Sequence, residues 1–118
     1  KHINLYSKFD KFGDYWSPKV IAEMNDYQFK LVKIKGEFVK NQHSDTDEVF
    51  IVIEGKMSIE FKTETIEIKN GEMIVVPKGV VHKPFADEEC KVMLVEPRGV
   101  LNTGDTKGNL TAPNDQWI

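Results

Sequence analysis

At 118 residues, 40% hydrophobic and 30% charged, the chain has an ordinary globular balance, and one domain spanning residues 1–118 is expected, folding alone or in a small oligomer. A formal net charge of −3 without a long Lys/Arg cluster argues against nucleic acid and anionic membrane as partners, and for a small, uncharged or modestly charged ligand. The lone Cys90 excludes a disulfide within the chain, and the acidic run Asp87-Glu88-Glu89 before it disfavours a reactive thiolate; with no apolar run of membrane-spanning length and no charged-then-apolar leader, a cytoplasmic protein is expected.

In chain order, Leu5, Phe9 and Phe12 fall at helical spacing behind Asn4, an N-cap residue, which predicts a short helix before Gly13. From Lys19 the pattern changes to period two. Phe29 to Lys35 alternates up to Gly36 and reads as a strand with one wetter face, on which Lys30, Lys33, Lys35 and Lys40 form a solvated run. Val49 to Ile53 is apolar throughout, as in a strand packed on both faces; Glu54-Gly55 turns it into Met57 to Phe61, which alternates, so a hairpin is expected. Thr65 to Lys69, an Asn70-Gly71 turn, Met73 to Val76, a break at Pro77-Lys78-Gly79 and a last strand over Lys91 to Glu96 follow. Short strands without intervening helices argue for an all-β antiparallel sandwich or jelly roll. The tail from Arg98 reads as irregular, with Trp117-Ile118 expected to dock on the barrel.

Three side chains carry candidate chemistry: His43 and Glu48 around a turn, and His82 just after Pro77-x-Gly79. Two imidazoles and a carboxylate are the donor set of the facial triad that holds iron(II) with open positions, and the same donors suit zinc, manganese, nickel and cobalt, so composition alone leaves the metal open. Asp45 and Asp47 lie in a polar turn, where their side chains are expected to bond nearby backbone N–H groups. His2 is set aside as terminal.

The spacing of these residues resembles the cupin superfamily from about Trp16 to Asp105. Its first motif is similar to Gly36, Asn41, His43, Glu48 and Gly55, and its second to Gly71, Pro77, Gly79 and His82. The resemblance implies an antiparallel double-stranded β-helix whose metal ligands would be Asn41, His43, Glu48 and His82. It departs at Asn41, which stands where the family has its first His and offers a neutral, weaker donor; at the Gly36–Asn41 interval, one residue short; and at Ala86, where the second motif ends in Asn. A closer likeness is to small uncharacterised cupins sharing Trp16-Ser17-Pro18, Asp45-Thr46-Asp47-Glu48, Glu96-Pro97-Arg98-Gly99 and Asn102-Thr103-Gly104, which commonly read Trp-His at the position of Lys40-Asn41. That group implies no particular reaction.

Residues two apart on a strand share a face, so Asn41 and His43 are expected to point inward together, within an apolar cage of Phe50, Val52, Met73 and Val75. Buried imidazole and carboxylate groups need a divalent transition metal, a bound small molecule or each other as partners. The expected function is thus a small cupin of open reaction, either metal-dependent and acting on a small molecule or a metal-free binding module. Pro77 and Gly79 are assigned to backbone geometry, and Asn102-Thr103-Gly104 to loop packing. A homodimer is expected from the resemblance and from the apolar segment containing Trp16, Val20, Ile21 and Phe29.

Overall fold

The chain opens, in a computed structural model that describes residues 1–106 and 108–118, with helix α1 (Leu5–Phe9), capped as the sequence predicts by the Asn4 side chain accepting from the Ser7 N–H. All other regular structure is strand: β1 (Lys19–Met24), β2 (Tyr27–Glu37), β3 (Glu48–Glu54), β4 (Lys56–Glu60), β5 (Thr65–Lys69), β6 (Met73–Val76) and β7 (Lys83–Pro97). The pairings are antiparallel, in the order β1-β2-β7-β3-β6, with β4 between β5 and the start of β7. The all-β architecture follows from this.

β7 joins the two halves. It pairs with β2 along its length, with β3 through Lys91–Val95 and with β4 through Lys83–Phe85, and the register shifts between Ile34 and Gly36 let β2 bend with it. The strand expected over Lys91 to Glu96 therefore begins earlier, at Lys83, because Asp87-Glu88-Glu89 is an exposed stretch of extended chain. Gly55 is required at its turn: with φ +99°, a Cβ there would sit 3.1 Å from the Glu89 carbonyl oxygen.

Register fixes what faces inward. On β2 the buried inner set is Gln28, Lys30, Val32 and Ile34, while Lys33 and Lys35 point out. The expected lysine face is thus divided by strand parity: Lys30 is 3% exposed, inside the barrel. Across β2, β7 and β3 the inner residues line up as Gln28–Glu96, Lys30–Leu94–Phe50 and Val32–Val92–Val52, and one step beyond Val49↔Val95 sets Glu48 beside Glu96. On β6, Ile74 and Val76 face Phe50 and Glu48. The cage residues expected there, Met73 and Val75, belong to the opposite parity and are 56% and 50% exposed.

The main core lies between the sheets, with Val52, Val92 and Ile59 fully buried at about 1.5–3 kcal/mol each. A second cluster on the outer face packs Phe9 of α1 on Leu31 and Ile21. The segment expected to drive pairing is largely used within the chain: Val20 and Ile21 are buried, Phe29 packs under α1, and Trp16 stacks on Phe38 at 4.5 Å. The tail docks as expected, through Ile118, which joins the outer cluster, and through a backbone bridge from Trp117 to Val20; the Trp117 ring itself is 51% exposed, its N–H spent on Asp115.

Candidate metal centre

Glu48 opens β3 and points into the barrel. His82 precedes β7, where its backbone N–H and C=O both pair with Asn41 at 2.9 Å. The break before it works as geometry: Gly79, at φ +78°, donates its N–H to the His43 carbonyl, and the Val80 N–H returns to Pro77. Asp47 accepts the Lys78 N–H, so it is a turn residue as expected. These bonds hold the His43 loop against the turn that delivers His82.

The result is a convergence. His43 Nε2 lies 3.2 Å, and His82 Nε2 3.3 Å, from the same Glu48 oxygen, and the donor atoms of all three residues fall within 4.8 Å of one another. All three are buried, yet neither Nε2 has a hydrogen bond of good geometry. His82 Nδ1 sits 2.9 Å from the Val80 carbonyl, which can only accept, so the ring proton is on Nδ1 and the Nε2 of a neutral ring presents a lone pair to the carboxylate. Two acceptors facing each other in a buried site need a cation between them, either a second proton on the ring or a metal ion. The donor set, its spacing and the tautomer therefore fit a divalent metal. Burial alone would raise the Glu48 carboxyl, but hydrogen bonds from His43 and His82 in their protonated form, with the charge of His43, outweigh it and hold it down at about 2.

Asn41 is 3% exposed and lines the same cavity as Glu48 and His82, though from an isolated bridge and not a continuous strand shared with His43. Its Nδ2 donates to the Val39 carbonyl, leaving Oδ1 without a partner. His43, while its Nε2 approaches Glu48, also borders a polar depression with Ser44, Asp45 and Asp105. Gly104 closes that side: at φ +59°, a Cβ would meet the Gln42 carbonyl oxygen at 2.1 Å and His43 Cε1 at 3.2 Å, so only glycine lets the tail pack here. Asn102 of the same tail lines the cavity, donating to the Trp16 and Leu110 carbonyls and accepting from Ala112 N–H, so this loop does cover the site.

Sequence reasoning missed the charges behind Glu48. Lys30 Nζ bonds Glu96 at 2.8 Å, both side chains being almost wholly buried. Burial and the charge of Glu48 push the Glu96 carboxyl well above its usual range, against the pull of Lys30. The available signal was parity, since Lys30 is in phase with Val32 and Ile34, and Glu96 with Val92 and Leu94. Three further side chains lie elsewhere. Arg98 forms a two-point surface pair with Glu23; Lys40 lines a separate depression with Glu60 and Lys62; Cys90 is fully buried, its thiol pushed up to about 11 by burial and then by Glu54. No described helix is long and apolar enough to cross a membrane.

Known proteins share this fold. A cupin-2 domain protein from Shewanella frigidimarina superposes with a TM-score of 0.81 at 62% identity, covering 81% of this chain and 94% of that one. A Neisseria meningitidis protein superposes at 0.76 with 34% identity, covering 82% and 99%. An uncharacterised Bacillus subtilis protein, YdbB, is 42% identical over 64 residues, 53% of this chain, and the match spans 57% of YdbB. Residues 30–96, more than half of the chain, match the profile of the cupin domain, and with the jelly-roll barrel around its inward histidines the chain belongs to the cupin family.

Proposed function

We propose that His43, Glu48 and His82 hold a divalent transition metal and that the protein acts through it on a small molecule in the adjoining cavity. The observation that carries this reading is the approach of two unpartnered imidazole nitrogens to one buried carboxylate oxygen. A cation there would also offset the repulsion between Glu48 and Glu96. A bound ion of this kind supplies Lewis acidity with coordination positions left open. The chain does the rest: the Val80 carbonyl fixes the His82 ring, Phe50 packs edge-on against it, and Val92 and Leu94 keep water from the inner wall.

The test is elemental analysis of protein purified without chelator, followed by competitive metal titration. About one equivalent of transition metal, lost in His82→Ala, supports the reading; no binding to the parent at neutral pH rejects it. The unpaired Asn41 Oδ1 and the apolar cavity favour, as the second reading, a metal-free binding module. Metal-free protein that is nonetheless stabilised against heat by a metabolite would select it.

A further inference from the structure

The sheet has three outer strands, β1, β5 and β6, and each treats its free backbone differently. β1 is covered by the tail, which runs beside it with the Gln116 carbonyl accepting from the Val20 N–H and the Val20 carbonyl accepting from the Ile118 N–H. β5 sets Glu67 and Lys69 between and after its isoleucines, charges that oppose pairing with another chain. β6 has neither protection. Met73-Ile74-Val75-Val76 carries no charge, proline or glycine, and among the described residues it pairs with β3 alone. A groove of about 490 Å³, bordered by Ile66 and Ile68 on one side and Met73 and Ile74 on the other, leaves that edge open to approach.

The outer face ends the same way. Val95–Val49–Val75 and Met93–Ile51–Met73 form two apolar rows across β7, β3 and β6, where an antiparallel sheet facing water would be polar. Both rows stop at exposed side chains of β6, so the strand Val49 to Ile53, apolar at every position, lacks its outer partner at Val49 and Ile51. The Val52 N–H donates to the Glu72 carbonyl; by alternation Glu72, Ile74 and Val76 turn their backbone groups to β3 and leave those of Met73 and Val75 on the free edge. That spacing is self-complementary. A two-fold axis at Ile74 sets Met73 of each copy opposite Val75 of the other, and each such pair can exchange two backbone hydrogen bonds. It also carries both apolar rows into the second sheet and turns the exposed Glu72 of each copy toward the exposed Lys78 of the other. We propose that β6 is a homodimer edge, pairing antiparallel with β6 of a second copy of this chain about Ile74. The surface differs from the segment of Trp16, Val20, Ile21 and Phe29, and it does not depend on the metal reading.

Sedimentation of the whole chain at micromolar concentration should give twice the chain mass, with or without chelator. Val75→Lys changes an exposed side chain, so it should keep the thermal stability of a folded barrel while raising the dimer dissociation constant at least about thirtyfold, the scale of a central interface residue. Adding Met73→Glu to Val75→Lys should recover at least about fivefold of that loss, because in this register the new carboxylate lies opposite the new ammonium. Mild oxidation reads the same register: Ile74→Cys should link to its own copy, opposed residues being about 4.5–5.5 Å apart, whereas Val75→Cys should not, its two copies lying about 8 Å apart on the diagonal. The native Cys90 is fully buried and does not compete. Should Ile74→Cys fail to fold, the Lys and Glu variants read the register alone. A monomeric parent, a dimer that Val75→Lys leaves intact, a folded Ile74→Cys that does not self-link, or no recovery with Met73→Glu would overturn the proposal.

Discussion

Two rows of inward side chains cross the same three strands, with Lys30–Leu94–Phe50 between them, and they have opposite character. Val32, Val92 and Val52 form one, wholly apolar and closely packed. Gln28, Glu96 and Glu48 form the other, in which Oε1 of Gln28 and of Glu96 lacks a hydrogen-bond partner and two carboxyls sit side by side. Strand pairing and burial are the same for both, so the fold does not need the second row to be polar. The apolar row supports the barrel, whereas the polar row opposes burial and is explained by what it binds.

The largest expected effect breaks the apolar row. Val92→Asp places an unpaired charge where the parent residue is fully buried, and it should cost at least about 4 kcal/mol in chemical denaturation. Replacing His43, Glu48 and His82 together by leucine should leave metal-free stability within about 1 kcal/mol of the parent or raise it, because the whole buried polar set is exchanged for apolar side chains and no partner is left alone. The same change should abolish metal binding. A loss of stability in this triple variant comparable to that of Val92→Asp would show the polar set to be structural.

Smaller changes sharpen the comparison. Glu96→Gln keeps the shape behind Glu48 but alters the charge beside it, and metal affinity should move by roughly 10–100-fold, the scale of outer partners of metal ligands, without a matching change in stability. Asn41→His should tighten metal binding, because an imidazole replaces a neutral amide oxygen in the cavity wall that Glu48 and His82 also line. Competitive titration at a pH where the ring is neutral checks both. Unchanged affinity in Asn41→His would mean that this position does not reach the ion.

These two rows also mark how far the sequence was legible. His43, Glu48 and His82 were readable because turn residues at fixed spacing, Gly55, Pro77 and Gly79, surround them, and turn chemistry is local. Lys30 and Glu96 were not, since a charged residue in a strand reads as solvated unless its register to the neighbouring strand is known, and register is a long-range property. Met73 and Val75 failed for the same reason: in a short apolar run both parities look alike, and only the pairing Val49↔Val75 shows that they face outward. Asp87-Glu88-Glu89 hid the first half of β7, where an extended strand runs exposed between its two partners.

The smallest expected effect compares Glu48 with a carboxylate outside the barrel. Glu23 is also held down at about 2, first by the hydrogen bonds from Arg98 and then by that from Gln28, in an exposed setting. A folded-state pKa below the ordinary 4.5 means that the unfolded chain takes up the proton first as pH falls. The stabilisation from Glu23 is therefore complete above 4.5 and is lost as pH drops through about 2. Glu23→Gln should flatten part of that acid limb in a series of thermal unfolding curves between these limits, and added salt should shrink the difference because the pair is open to solvent. In Glu48→Gln the corresponding change should persist in salt, since the buried imidazoles that hold Glu48 down are shielded from the ions. Equal salt sensitivity in the two variants would mean that water and ions reach the three converging side chains as freely as they reach the surface, and the barrel would then not supply the dry environment that the metal reading requires.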